Sequence, residues 1–209
     1  MLKLAGDADP VEVISARVRD LIFEAFEQGW SGPPFDPFAL AALRGIEVAP
    51  SENVVDAQIL MGKGGALKIL FNPDRALARI NYSVAHEIGH SLFPDCAEIV
   101  RHRLKHTGSV REEWQLEMLC NMAAAEILMP VGTLRRDDLE PAIDRISELR
   151  KRYAVSSEAV LLRMLRLTQA KCLGFVARKE PDSSAGHYRL DYAIGSGLWK
   201  SPLHSGWSL

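Results

Sequence analysis

A chain of 209 residues, 47% hydrophobic and 25% charged, has the apolar material for an ordinary core and is not a disordered or fibrous polypeptide. A formal net charge of −2 and a pI near 6.3 exclude the broadly basic surface of a protein that coats nucleic acid. Three cysteines without C-x-x-C spacing argue against a disulfide framework and fit a reducing compartment.

The opening MLKLAGDADPVEVISARVRD meets acid by Asp7 and lacks the apolar run of a secretory signal. No run of about 18 apolar residues occurs, so no membrane partner is expected and the expected location is the cytoplasm. Val11, Ile14, Val18, Leu21, Ile22 and Ala25 recur at helical spacing, with Asp9-Pro10 as a start signal and Gly29 as a stop. WSGPPFDP then reads as a loop and PFALAALRG as a short helix closed by Gly45. IEVAP, VVDAQILM and ALKILFN are β-prone, and the GKGG between the last two predicts a hairpin. A helix is predicted from about Arg75 to Phe93, where Pro94 stops it, with Ile80, Val84, Ile88 and Leu92 on one apolar face. REEWQLEMLCNMAAAEILM predicts a second long helix before Pro130, on which Trp114, Met118, Leu119 and Met122 read as core-facing. Helices are predicted again at about 140–152 and 156–169, the later one capped by Ser156, and the tail reads as two strands around a polar turn. The outline is an α+β fold.

The first of the two long helices carries His86-Glu87-Ile88-Gly89-His90. Residues four apart project from the same side of a helix, so the two imidazoles can share one metal ion. Glu87 stands beside that face, within reach of a water held there. This is the mechanical basis of the H-E-x-x-H signature of zinc proteases. An amphipathic helix with incidental polar residues is the bland alternative. Against it stands Gly89, which costs a helix interior about 1 kcal/mol relative to Ala and so points to a packing or site requirement.

A catalytic zinc takes three protein ligands and keeps one position for water. The spacing of a third histidine in the metzincin class is absent, because Phe93 and Cys96 stand where Gly and His are needed. Glu112, Glu113, Glu117 and Glu126 on the next long helix are the available carboxylates. Glu112 and Glu113 suit the helix dipole at its start in any case. Glu117 and Asn121 are four apart, so Asn121 can hydrogen-bond a neighbour of the ligands.

AHEIGHSLF at 85–93, the run from Glu117 to Pro130 that contains NMAAAEILMP, and the preceding strand ending in Asn72 together resemble the ImmA/IrrE-type metallopeptidases. In that family an H-E-x-x-H helix is followed by one reading like E-x-x-A-N-x-F-A-A-E-L-L-M-P. Cys120 replaces the usual Ala, and Ala123, which follows Met122, stands where a bulkier residue is usual. The resemblance covers about 11 to 169. It implies a zincin-like core: a small antiparallel-containing sheet, an active-site helix and a ligand helix. It also implies His86, His90 and Glu117 as ligands of one zinc per chain, with Mn2+ as the alternative metal, and Glu87 as the general base of peptide hydrolysis. The substrate it implies is a helix-turn-helix transcriptional repressor, cleaved in stress response or mobile-element control. Tyr82, His187, Tyr188 and Tyr192 are candidates by residue type for stabilising the oxyanion.

The expected organisation is a peptidase domain over 1–135, a helix-turn-helix-like segment packed on it over 136–169, and a β-like extension over 170–209. Residues 141–171 carry seven basic against three acidic side chains, which leaves direct DNA binding open; a structural or substrate-docking role for the helical pair is preferred. The GGALKILFN strand is expected at a sheet edge, where an extended substrate could pair with it. Cys96 reads as a small buried thiol, and His102 and His106 as part of a solvated basic segment. Two competing functions remain: a DNA- or repressor-binding regulator with a vestigial peptidase site, and a metal-dependent hydrolase of small substrates.

Overall fold

The computed structural model describes residues 8–62, 65–93, 96, 110–179, 187–197, 199, 205 and 206, so His102 and His106 lie outside the described residues. The chain is a mixed α+β fold that divides into two compact units. One takes in the described residues of 1–133 together with 153–155, the other those of 134–152 and 156–209.

The first unit opens with α1 (Pro10–Glu27). The Asp9 side chain accepts from the Val11 N–H and Pro10 occupies the first turn, as the start signal predicts. Ile14, Val18, Leu21, Ile22 and Ala25 form its buried stripe, and Gly29 turns the chain out in the left-handed region at φ 88°. Trp30 and Phe35 in the following loop pack with ring centroids 4.9 Å apart, and Trp30 Nε1–H donates to the Asp36 carbonyl. Tyr153 belongs to the same unit. It is 1% exposed, its ring stacks on Phe35 at 6.3 Å, and its hydroxyl donates to the Thr133 carbonyl.

After α2 (Pro37–Leu43) the chain lays down β1 (Glu47–Pro50), β2 (Ala57–Met61) and β3 (Leu67–Phe71). The predicted hairpin is present, with Ile59 opposite Ile69. The sheet order is β1-β3-β2, and β1 runs parallel to β3 with Val48 opposite Ile69. The strand expected at the edge, β3, is therefore central: β1 returns through space to pair with its far side. β2 is an edge strand of this sheet. Ile59 and Ile69, at 1% and 0% exposure, form the sheet's inner face.

α3 (Leu77–Ser91) follows, about two residues shorter at each end than predicted. The Asn72 side chain accepts from the Asp74 N–H in the preceding turn. At the other end the Arg17 guanidinium donates to the Leu92 carbonyl at 2.6 Å and occupies an acceptor that the helix leaves open. α4 (Val110–Leu128) packs along α3 and buries Leu116, Leu119, Cys120, Ala123, Ala124, Ile127 and Leu128. Trp114, expected in the core, is 64% exposed; among the described side chains of α4 the first buried one is Leu116. Met118 and Met122 flank that stripe and are half-buried.

The second unit contains α5 (Ile143–Tyr153) up to Arg152, and α6 (Ser157–Leu167), whose cap is the predicted Ser156 accepting from Ala159 N–H. The tail forms the antiparallel pair β4 (Leu173–Lys179) and β5 (Tyr188–Gly195). α6 lies directly on β4: a Cβ at Gly174 would stand 2.6 Å from Leu165 Cδ1 and 2.9 Å from Leu161 Cδ1. Asp138, 1% exposed, is held by Arg152 at 2.7 Å and by the Arg135 N–H at 2.9 Å.

Candidate metal centre

Two helices and one strand of the first unit build the site. His86 and His90 project from α3 one turn apart, their rings 4.9 Å apart at 72°, and Glu117 reaches across from α4. The Nε2 atoms of the two histidines are 3.1 Å apart. Glu117 Oε2 is 3.0 Å from His86 Nε2, and Oε1 is 3.5 Å from His90 Nε2. A tetrahedral shell of nitrogen and oxygen ligands at roughly 2.0–2.1 Å from zinc has edges of about 3.3 Å. The donor set and its spacing thus fit a divalent metal of the zinc type. Burial raises the Glu117 carboxyl, but hydrogen bonds from His86 and His90 and their charge outweigh it and hold it well below the usual carboxylate range. Glu117 is accordingly an anion, the form a metal needs.

The outer nitrogen of each histidine also meets α4. His86 Nδ1 lies 2.9 Å from Asn121 Oδ1, which also accepts from the Tyr82 hydroxyl at 2.9 Å. With an amide oxygen as its acceptor, Nδ1 of His86 carries a proton, and once the ring is neutral its Nε2 is the nitrogen left to hold a metal. His90, 4% exposed, has Nδ1 3.3 Å from Cys120 Sγ. The i, i+3, i+4 series Glu117, Cys120, Asn121 thus lies along one side of α4.

Glu87 is 6% exposed and its Oε2 accepts from the backbone N–H of Ile59 on β2 at 2.9 Å. Ile59 faces Ile69 across the hairpin at a position where backbone groups turn away from the partner strand, which frees its N–H for the carboxylate. Gly89 brings the helices together. A Cβ there would lie 3.1 Å from Ala123 Cβ and 3.2 Å from the Cys120 carbonyl oxygen.

Of the residues singled out in the sequence, His86, Glu87, His90, Glu117, Asn121 and Tyr82 meet here. The Tyr82 hydroxyl is engaged with Asn121, behind His86. Glu126 is used at the end of α4, where it accepts from the Val131 N–H at 3.0 Å. The side chains of Glu112 and Glu113 lie outside the described set. His187 and Tyr188 stand in the second unit at the head of β5, where Tyr188 pairs with Lys179, and the Tyr192 hydroxyl bonds Glu158. Cys96 is buried, as expected of a small thiol. Sequence reasoning missed Ile59, whose contribution is a backbone group, and the contact of Cys120 with His90, which the i+3 spacing from Glu117 could have revealed.

Residues 62–165 match the family described as the IrrE N-terminal-like domain. Over 102 residues the chain is 31% identical to the radiation response metalloprotease IrrE of Deinococcus radiodurans, a stretch that takes in 48% of this chain. It spans about a third of that curated relative, 31% of its length. Among solved structures, a Mycobacterium tuberculosis transcriptional regulator has the same fold, with a TM-score of 0.58 at 17% identity. That match covers 90% of this chain and 56% of the regulator.

Proposed function

We propose that this chain, which belongs to the ImmA/IrrE metallopeptidase family through residues 62–165, is a zinc-dependent endopeptidase with a zincin-like core. The observation that carries this reading is the convergence of His86, His90 and Glu117, with their ligand atoms within 4.8 Å of one another and Glu87 on the intervening turn. These three side chains would hold the metal. When bound, zinc supplies a Lewis acid that acidifies a water and polarises a peptide carbonyl.

Glu87 takes the proton of the attacking water and returns it to the leaving amine. Ile59 N–H fixes one oxygen of its carboxylate, so the base is oriented before substrate arrives. Asn121 fixes the tautomer and plane of His86, and Tyr82 in turn fixes Asn121. The oxyanion candidates His187, Tyr188 and Tyr192 come from the other unit and rest on residue type.

An extended peptide would add to the sheet along β2, the edge strand that touches Glu87, rather than along β3. That edge supports peptide substrates over small molecules. The substrate class is a helix-turn-helix transcriptional repressor, cleaved in the cytoplasm during stress response or mobile-element control. The family resemblance supports this class, and the radiation-response name of the relative agrees with its stress branch. Among the described residues no helix is long and apolar enough to cross a membrane.

The test joins metal content to cleavage. Elemental analysis should find about one zinc per chain in the wild type. Glu117→Ala should lose it, while Glu87→Gln should keep zinc and lose cleavage of a co-expressed repressor. A Glu87→Gln variant that still cuts refutes the mechanism. A wild type that takes up no zinc favours the DNA- or repressor-binding regulator with a vestigial site.

A further inference from the structure

Resting on the metal reading above, we infer that Cys120 is a positioning residue for the metal centre. Its sulfur accepts the Nδ1–H of His90 and so fixes the tautomer that presents Nε2 to the metal. Three observations converge. Cys120 Sγ lies 3.3 Å from His90 Nδ1, within the range of an N–H···S hydrogen bond. Cys120 is 0% exposed and His90 only 4%, so solvent has little access to serve that nitrogen. The closest backbone approach at Gly89 falls on Cys120 itself, with its Cα 3.3 Å and its carbonyl oxygen 3.2 Å from where a Cβ would stand. The residue that presses α4 against α3 is therefore the one that serves the adjacent ligand.

Chemistry assigns the direction of the bond in the loaded protein. An imidazole that gives Nε2 to a metal keeps its proton on Nδ1 and needs an acceptor there. A thioether or thiol sulfur is a weak but polarizable acceptor, suited to an apolar site where a carboxylate would be costly. Asn121 does the same for His86 from the next position on α4.

The experiment compares wild type, Cys120→Ala and Cys120→Ser, each loaded with Zn2+. Affinity is read by competition with a chromophoric chelator, and the histidine tautomers by long-range proton–nitrogen NMR. Wild type and Cys120→Ser should show a slowly exchanging His90 Nδ1–H. Cys120→Ala should bind Zn2+ about tenfold more weakly, the lower end for loss of a ligand's supporting group, with that proton exchanging faster. Recovery in Cys120→Ser separates acceptor chemistry from packing. A Cys120→Ala protein with wild-type affinity and an unchanged His90 signal overturns the inference alone. So does a sulfur-to-metal charge-transfer band in the Co2+-loaded wild type, which would make Cys120 a ligand. A wild type that binds no Zn2+ overturns the metal reading and this inference with it.

Discussion

Gly89→Ala separates helix propensity from helix contact. In an isolated helix the change should stabilise by about 1 kcal/mol. Here the new methyl would meet Ala123 Cβ at 3.1 Å, the Cys120 carbonyl oxygen at 3.2 Å and Cys120 Cα at 3.3 Å. Comfortable contacts begin near 3.5 Å, so α4 must retreat by a few tenths of an ångström. Two of the three atoms are backbone and cannot rotate aside. Overpacking of this kind costs roughly 1–3 kcal/mol, which exceeds the propensity gain and leaves a net loss of about 0–2 kcal/mol. The larger consequence is functional. Glu117, Cys120 and Asn121 travel with α4, and metal–ligand distances tolerate only about 0.2 Å. Zinc affinity should therefore fall about tenfold or more while the fold persists. Urea denaturation of the metal-free variant and chelator competition measure the two quantities. A variant stabilised by about 1 kcal/mol with wild-type zinc affinity would refute the reasoning.

Tyr82→Phe should weaken zinc binding by about two- to tenfold, the worth of one hydrogen bond, and leave cleavage at saturating zinc close to wild type. A hundredfold loss of kcat with zinc affinity intact would instead make Tyr82 an oxyanion stabiliser. Burial raises the Asp138 carboxyl, but the Arg135 N–H, Arg152 and Arg145 outweigh it and hold it below the usual carboxylate range. Its stabilising contribution is therefore complete above the unfolded value of about 3.9 and lost as pH falls through the folded value. Asp138→Asn should cost about 1–3 kcal/mol at neutral pH and flatten the loss of stability below about pH 4. Urea titrations at pH 7 and pH 3 check both; equal losses at the two pH values would count against the ion-pair account.

Short-range chemistry was legible in the sequence. Asp9 and Ser156 cap the helices where predicted, the hairpin forms, and His86 and His90 share a face because helix geometry requires it. The choice of Glu117 among four carboxylates came from the family resemblance. In the structure Glu117 stands beside both histidines, whereas Glu126 accepts from the Val131 N–H. Long-range pairing was not legible. Nothing local in GGALKILFN says that β1 will come back to cover its free side, so the edge passes to β2. Nor does a sequence show where the N–H of Ile59 points. The periodicity of α4 was also ambiguous near its start, where Trp114 matched an apolar stripe and yet stands exposed.

Tyr153 sets the smallest fragment that could carry this chemistry. A chain cut after Thr133 would retain His86, Glu87, His90, Glu117, Cys120 and Asn121. It would also lose the ring stacked on Phe35 and the hydroxyl bonded to the Thr133 carbonyl. The gap would open in the aromatic cluster of Trp30 and Phe35 that follows α1, whose Arg17 holds the end of the histidine helix. A working miniature therefore has to run on to Val155, or carry a small apolar residue engineered to fill the vacancy.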